Sequence, residues 1–154
     1  MLTPDAQRAS IQRLYDEVWN QGHLAIADEL FADEYVAPGA TTPTGPEGEK
    51  RHVAMLRAAF PDLRLAVEEM AAEGDRVAVR WTMTATDDGG FMGRAPTGQH
   101  FSVWGVHFFR FAGARIAAGW TGVDMLGLMI QLGLVPSPWP AAGASASGEG
   151  GPPA

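Results

Sequence analysis

Two side chains in the second half of the chain, His107 and Asp124, have the types and settings that acid–base chemistry needs. His107 lies in the middle of an apolar segment, Val103 to Phe111, and Asp124 follows a second such segment. Imidazole and carboxylate groups are common carriers of protons in enzymes. Each residue also has an ordinary structural interpretation, His107 as a core histidine with a satisfied ring nitrogen and Asp124 as the N-cap of a helix.

The composition excludes several other kinds of chemistry. The chain of 154 residues has no cysteine, which rules out a disulfide framework, a thiolate metal site and a cysteine nucleophile. Its four histidines share no short ligand spacing, so no metal site is expected. The net charge of −7 makes nucleic acid and anionic membranes poor partners. Without a signal-peptide pattern or an apolar run of about 20 residues, the sequence predicts a cytoplasmic protein.

The elements that must position these groups follow a pattern of helices first and strands afterwards. Thr3-Pro4 starts a predicted helix that Asn20-Gln21-Gly22 ends, and further helices are predicted at 23–32 and 46–60. After Pro61 the apolar residues alternate with polar or small ones, which predicts antiparallel strands separated by tight turns. The expected strands and closing helix cover residues 63–67, 77–83, 99–111, 115–121 and 124–133.

This order predicts an α+β fold in which the N-terminal helices pack into a curved, mainly antiparallel sheet and form a cone-like cavity, an α+β barrel. The predicted domain covers residues 3–135. Residues 136–154 are rich in Pro, Gly, Ala and Ser, and we expect this tail to be disordered.

Strand alternation divides the side chains around His107 between two faces. Phe109 shares a face with His107, while Trp104 and Phe108 do not. Arg80 is the only charge in its strand, and it is either solvated on the outer face or binds a carbonyl or carboxylate in the cavity. One sheet face needs a cover, so we expect a homodimer or higher homo-oligomer, with Trp81, Trp104 or Phe108 offering the apolar patch.

Several segments together carry a resemblance to a known family. They are Trp19-Asn20-Gln21-Gly22, Glu34-Tyr35-Val36 through Pro38-Gly39, Gly93-Arg94-Ala95-Pro96-Thr97-Gly98, Val106-His107-Phe108-Phe109-Arg110-Phe111, Trp120, Asp124 and Gln131-Leu132-Gly133. This ordered set, over about residues 8 to 133, resembles the SnoaL-like polyketide cyclases of the nuclear-transport-factor-2-like superfamily.

The resemblance implies an enzyme of secondary metabolism that closes a ring on an aromatic polyketide, an anthraquinone-type methyl ester, by intramolecular aldol condensation. It implies neither metal nor cofactor. The family's catalytic aspartate falls at Asp124 and its pocket histidine at His107, while Trp19 and His52 fall at positions that shape the pocket. The remaining substrate-binding candidates are Arg80, Phe109 and Trp120.

Two departures from the family pattern, Ala37-Pro38 and Ala85-Thr86-Asp87, keep other functions open. One alternative is a hydroxylase-type or isomerase-type enzyme on the same scaffold, because a fold does not fix its chemistry. The other is a non-catalytic module that binds a hydrophobic ligand.

Overall fold

The computed structural model describes residues 1–140. Most of the tail predicted at 136–154 therefore lies outside the described residues, and its predicted disorder stays a prediction. The elements of the domain follow one another in the order expected, with helices first and a run of strands after them.

The N-terminal helix begins where its capping residues predict. The hydroxyl of Thr3 accepts a hydrogen bond from the backbone N–H of Ala6 at 3.2 Å, and Pro4 occupies the first helical position. Helix α1 (Pro4–Arg13) then continues as one π-helical stretch, Leu14–Asn20. Five apolar residues of this segment recur at i, i+3, i+4, i+7 and i+8, which predicts one buried stripe. The prediction is confirmed, because all five are buried: Ile11, Leu14, Tyr15, Val18 and Trp19.

A five-stranded sheet and three further α-helices complete the domain. The strands are β1 (Phe31–Val36), β2 (Arg64–Glu73), β3 (Arg76–Thr86), β4 (His100–Ala112) and β5 (Arg115–Val123), and the helices are α2 (Ala27–Leu30), α3 (Gly45–Ala59) and α4 (Met125–Gln131). The spatial strand order is β1-β5-β4-β3-β2, with antiparallel pairing throughout except between β1 and β5. The α+β class is confirmed, and the mixed sheet stays open instead of closing into a barrel.

The prediction of one helix over residues 23–32 is wrong at both ends. A 3₁₀ turn at Leu24–Ile26 precedes the short α2, and the chain then enters strand β1. Strand β1 pairs in parallel with β5, with Phe31 beside Ile116. Because this pairing joins distant parts of the chain, the apolar residues near Phe31 bear no local sign of a strand.

The inner face of the sheet packs against the helices, and the sheet curves around them. The inner face carries buried side chains of β3 and β4 and packs against the N-terminal helices, as the alternation predicts. Register shifts between Val67 and Glu69 and between Arg110 and Phe111 interrupt the ladders. Such bulges bend strands and increase their twist, which lets the sheet wrap around the helices.

Candidate active site

A cavity of about 250 Å³ lies between the helices and the inner face of the sheet. Its walls are mostly apolar and contain two imidazoles and one hydroxyl. The lining side chains are Trp19, His52, Met55, Leu56, Leu65, Trp81, Met83, Phe91, His107, Thr121, Val123 and Met125. A cavity with apolar walls and a few converging polar groups is the usual form of a small-molecule site.

His107 stands on the sheet side of this cavity. Its Nδ1 lies 2.5 Å from the hydroxyl oxygen of Tyr15 in the π-helical stretch. Its ring lies against Trp81 and Phe109, at centroid distances of 5.2 and 5.3 Å. Burial lowers the pKa of His107 to about 3, and the nearby His52 adds to this effect. The imidazole is therefore neutral at pH 7 and has one N–H to donate.

Tyr15 keeps its proton in this setting. Its side chain is fully buried, and burial raises the pKa of the phenol well above its usual value, with the charge of Glu49 acting in the same direction. The phenol therefore faces Nδ1 of His107 as a neutral hydroxyl. The sequence pattern identifies Tyr15 only as a member of the apolar stripe, because its partner lies 92 positions away in the chain.

The absence of a side chain at Gly105 makes room for the indole of Trp81. The sequence predicts that Gly105, two residues before His107 on the same face, leaves room beside the imidazole. In the structure, a Cβ at Gly105 would overlap the indole ring of Trp81 and would lie 2.6 Å from the carbonyl oxygen of Gly122. The missing side chain thus makes room for Trp81, which in turn packs against His107.

The helix side of the cavity is built around Trp19. Its indole N–H donates to a carboxylate oxygen of Glu49 at 3.1 Å, and its ring meets that of His52 edge-on at 5.4 Å. Burial lowers the pKa of His52. Trp19 and His52 both lie on the cavity wall, and the pocket-shaping role that the resemblance implies for them stays a prediction.

Glu49 is a buried carboxylic acid that sequence reasoning missed. Only 5% of its surface is exposed, and burial raises its pKa to about 7 against the bonds from Trp19 and Tyr35, which lower it. A glutamate on an amphipathic helix is ordinarily solvated, so nothing in the local pattern indicates this burial. Glu49 lies behind the indole of Trp19 and not on the cavity wall.

Asp124 lies at the edge of the cavity and caps α4. Its Oδ1 accepts the backbone N–H of Gly127 at 2.9 Å, which confirms the helix-capping interpretation. Both of its chain neighbours, Val123 and Met125, line the cavity, whereas Asp124 itself does not. The structure therefore brings the carboxylate next to the cavity, and its catalytic role stays a prediction.

The other predicted site residues are spread over both faces of the sheet. Phe109 lies on the inner face behind the imidazole of His107. Arg80 lies on the outer face, where its guanidinium pairs with Glu69 at 3.0 Å beside an open groove of about 610 Å³. Trp120 is also on the outer face and is half exposed. Arg80 and Trp120 therefore do not line the inner cavity, because alternation along β3 and β5 directs them away from it.

Trp81 corrects the predicted apolar patch. It is 4% exposed and lies on the inner face, so it cannot offer a surface to a partner subunit. Trp104 and Phe108 are on the outer face and exposed, as predicted. Trp120 joins them, because its ring packs against Phe108 at 6.2 Å.

Within residues 1–140, no three His, Asp or Glu side chains come together in a way that would hold a metal ion. Over the same residues, no helix is long and apolar enough to cross a membrane.

Comparison with known proteins gives the chain its family. The family model described as SnoaL-like polyketide cyclase matches residues 9–132. The chain belongs to this family. The match takes in the cavity walls from Trp19 to Met125, so the site described above lies wholly within the SnoaL-like domain.

Individual SnoaL-like and related proteins show the same likeness. The chain is 30% identical to aklanonic acid methyl ester cyclase AcmA of Streptomyces galilaeus over 139 residues, which cover 87% of this chain and 93% of that one. TsrD from Streptomyces laurentii superposes with a TM-score of 0.81 at 25% identity, over 88% of this chain and all of that one. AclR, a proposed hydroxylase from Streptomyces galilaeus, superposes with a TM-score of 0.75 at 29% identity, over 88% and 85% of the two chains.

Proposed function

We propose that this SnoaL-like polyketide cyclase closes a ring by intramolecular aldol condensation on an anthraquinone-type methyl ester, without a cofactor. The observation that carries the proposal is the apolar cavity with a neutral imidazole in its wall and a carboxylate at its edge. AcmA is named as a cyclase of aklanonic acid methyl ester, and this name supplies the proposed substrate class.

The reaction needs one base, one hydrogen-bond donor, and a substrate bound in a conformation that brings its nucleophilic carbon close to the carbonyl. A methylene between two carbonyls is fairly acidic, so a positioned carboxylate removes its proton and leaves an enolate, a step for which general base catalysis is typically worth about 10²- to 10⁴-fold. The enolate carbon then attacks a second carbonyl of the same molecule and forms the new C–C bond. The resulting alkoxide takes a proton back, so the addition step leaves the mass unchanged.

His107 is proposed as the donor to the enolate oxygen. Its ring is neutral, and Nε2 neither has a partner among the described residues nor is enclosed by protein. A donor aimed at a developing oxyanion in a dry site contributes about 3 kcal/mol, by analogy with oxyanion holes. Trp19 and His52, on the opposite wall, are proposed to hold the aromatic rings so that nucleophile and carbonyl meet.

Asp124 is proposed as the base. Its Oδ1 is bonded to Gly127, whereas Oδ2 makes no hydrogen bond within the described residues and is proposed to take the proton of the substrate. His52 is the other proton acceptor available to the cavity, because it lines the wall and burial favours its neutral form.

The test is ring closure by the purified protein on a panel of open-ring anthraquinone methyl esters, followed by product mass and chirality. Asp124→Asn keeps the helix cap, because Asn caps helices as well as Asp does. We expect this variant to fold and to lose about 10²-fold or more of the turnover. A folded Asp124→Asn protein with wild-type turnover would overturn the assignment, and loss of turnover in His52→Gln alone would transfer the role to His52.

A hydroxylase is the second candidate, favoured by the structural likeness to AclR. Hydroxylation adds an oxygen atom to the product, whereas ring closure by aldol addition does not. Product mass in the same assay therefore separates the two functions. Tight binding of an aromatic ligand without any turnover would instead support a non-catalytic binding module.

We also propose a homodimer or higher homo-oligomer assembled through the outer face of the sheet. Three large apolar side chains there are 55%, 39% and 54% exposed, namely Trp104, Phe108 and Trp120. Burial of such surface against a second copy is favourable. Light scattering at micromolar concentration is expected to give at least twice the monomer mass, and Phe108→Glu is expected to reduce it. A monomeric wild-type protein would contradict the proposal.

The proposed cytoplasmic location is checked by fractionation of the native host. The expected result is recovery of the protein with the cytoplasmic fraction.

A further inference from the structure

The two ends of the His107 imidazole meet different surroundings. Nδ1 faces the buried hydroxyl of Tyr15, while Nε2 has no partner among the described residues and is not enclosed. We infer that Tyr15 is a positioning residue, whose hydroxyl donates to Nδ1 of His107 and so holds the ring in the tautomer that presents Nε2–H to the cavity. The inference rests on the proposed function only in what this N–H does for the substrate.

In the hydrogen bond between Tyr15 and His107, the tyrosine hydroxyl is the donor. The Tyr15 hydroxyl carries one hydrogen, and within the described part of the chain Nδ1 of His107 is the partner found for it. If Nδ1 carried a proton and donated it, the hydroxyl hydrogen would be left buried with no acceptor. A buried unsatisfied donor is costly, so the hydroxyl donates and Nδ1 accepts. A neutral imidazole that accepts at Nδ1 has its proton on Nε2.

The packing around the ring keeps this arrangement in place. Trp81 and Phe109 lie against the imidazole, and Trp81 is itself fitted over Gly105. A ring flip would exchange Nδ1 for a carbon and break the bond to Tyr15. In an imidazole the two nitrogens point in widely different directions, so fixing Nδ1 towards the helix directs Nε2 away from it, towards the cavity that His107 lines.

The choice of tautomer decides what the substrate meets. With the proton on Nε2, the cavity presents a donor where an enolate oxygen gains charge. With the proton on Nδ1, it presents a lone pair that repels the same oxygen. Tyr15 thus serves His107 as the third group of a triad serves its histidine, by orienting a ring that acts on the substrate.

The tautomer is read directly by nitrogen NMR of the full chain. Histidine-selective ¹⁵N labelling and long-range ¹H–¹⁵N correlation distinguish a protonated from an unprotonated ring nitrogen, and the spectrum of His107→Gln assigns the signal. We expect wild-type His107 to show an unprotonated Nδ1 and a protonated Nε2 at neutral pH. A protonated Nδ1 in the wild type would overturn the inference without any variant.

Tyr15→Phe removes the hydroxyl and keeps the ring that packs in the core. We expect the His107 signal to change to a mixture of both tautomers, and the pKa of His107 to rise, because the lost bond exists only for the neutral ring. Tyr35→Phe is the matched control, since it removes another buried tyrosine hydroxyl, one bonded to Glu49, and leaves the His107 signal unchanged. An unchanged tautomer in Tyr15→Phe would also overturn the inference.

Kinetics then test whether the orientation matters for ring closure. Loss of a group that orients a histidine in a metal site typically lowers activity by about 10- to 100-fold. We expect Tyr15→Phe to lower kcat by a similar factor, with little change in KM. An altered tautomer with wild-type kcat would overturn the positioning role. The proposed function fails in a different way, through a wild-type protein that closes no ring while its His107 spectrum stays as expected.

Discussion

Glu49 is expected to make the domain less stable as the pH rises towards neutrality. The carboxyl is buried, accepts the indole N–H of Trp19, and has its pKa raised from 4.5 to about 7 by burial. Below pH 4.5 both the folded and the unfolded chain hold its proton. Between pH 4.5 and 7 only the folded chain does, so raising the pH favours unfolding throughout this interval. Above pH 7 the carboxylate is ionised in both states and the loss is complete.

The magnitude follows from the difference between the two pKa values. One pKa unit corresponds to about 1.4 kcal/mol, so a rise from 4.5 to about 7 amounts to about 3 kcal/mol in all. About 2 to 3 kcal/mol of this falls between about pH 5 and pH 8, because part of the unfolded-state titration is already complete at the lower limit. Against a typical stability of about 5 to 15 kcal/mol, this is a large fraction.

Glu49→Gln isolates this contribution. The amide has nearly the same shape, accepts the Trp19 N–H and does not titrate. Other buried groups act in the opposite direction, because burial lowers the pKa of His107 and its contribution to stability is lost as the pH falls below the unfolded-state value. The useful quantity is therefore the difference in unfolding free energy between wild type and variant, obtained from urea unfolding followed by tryptophan fluorescence at each pH.

The expected result is a difference that shifts by about 2 to 3 kcal/mol in favour of the variant between about pH 5 and pH 8. Glu47→Gln is the matched control, since it removes an exposed carboxylate from the same helix. Glu47 forms a surface ion pair with Lys50, and the loss of such a pair is expected to change stability by less than about 1 kcal/mol. A wild-type-minus-Glu49→Gln difference that stays constant over this range would refute the reasoning that Glu49 is buried in its protonated form.

Other variants test the packing around the cavity. Gly105→Ala is expected to cost about 1 to 3 kcal/mol of stability, because its Cβ would overlap the Trp81 indole, and a urea midpoint equal to wild type would contradict that contact. Asn20→Ala removes two hydrogen bonds to the backbone of Leu65, at 2.9 and 2.7 Å, and is expected to cost about 1 to 3 kcal/mol, measured in the same way. Deletion of residues 136–154 is expected to change stability by less than about 0.5 kcal/mol, and a larger loss would extend the domain beyond residue 135.

Local patterns were sufficient for most of the elements. Thr3-Pro4 marks the start of α1 because a cap and a proline act within one helical turn. Alternation identifies β3 and β4 and places His107 and Trp104 on opposite faces, because the period of a strand is fixed by its backbone. The same local logic identifies Asp124 as the cap of α4.

What the sequence could not reveal depends on contacts between distant residues. Strand β1 exists because β5 lies beside it, and its own residues have no regular alternation. Tyr15 and Glu49 are members of helices whose patterns predict only a buried stripe and a solvated charge, and their roles arise from partners on other elements. Alternation alone does not decide which face Arg80 occupies, and its ion pair with Glu69 on β2 accounts for the outer position.

The walls of the cavity come from two kinds of element, the strands of the sheet and the helices opposite them. His107 stands on β4, where a continuous ladder with β3 holds the backbone, whereas the opposite wall consists of helical side chains such as Trp19, His52 and Met55. Exchanges on the helical wall alter the volume and shape of the cavity without touching a strand hydrogen bond. We therefore expect substitutions at Trp19 or Met55 to change which substrates the cavity accepts, while His107 keeps its position on β4.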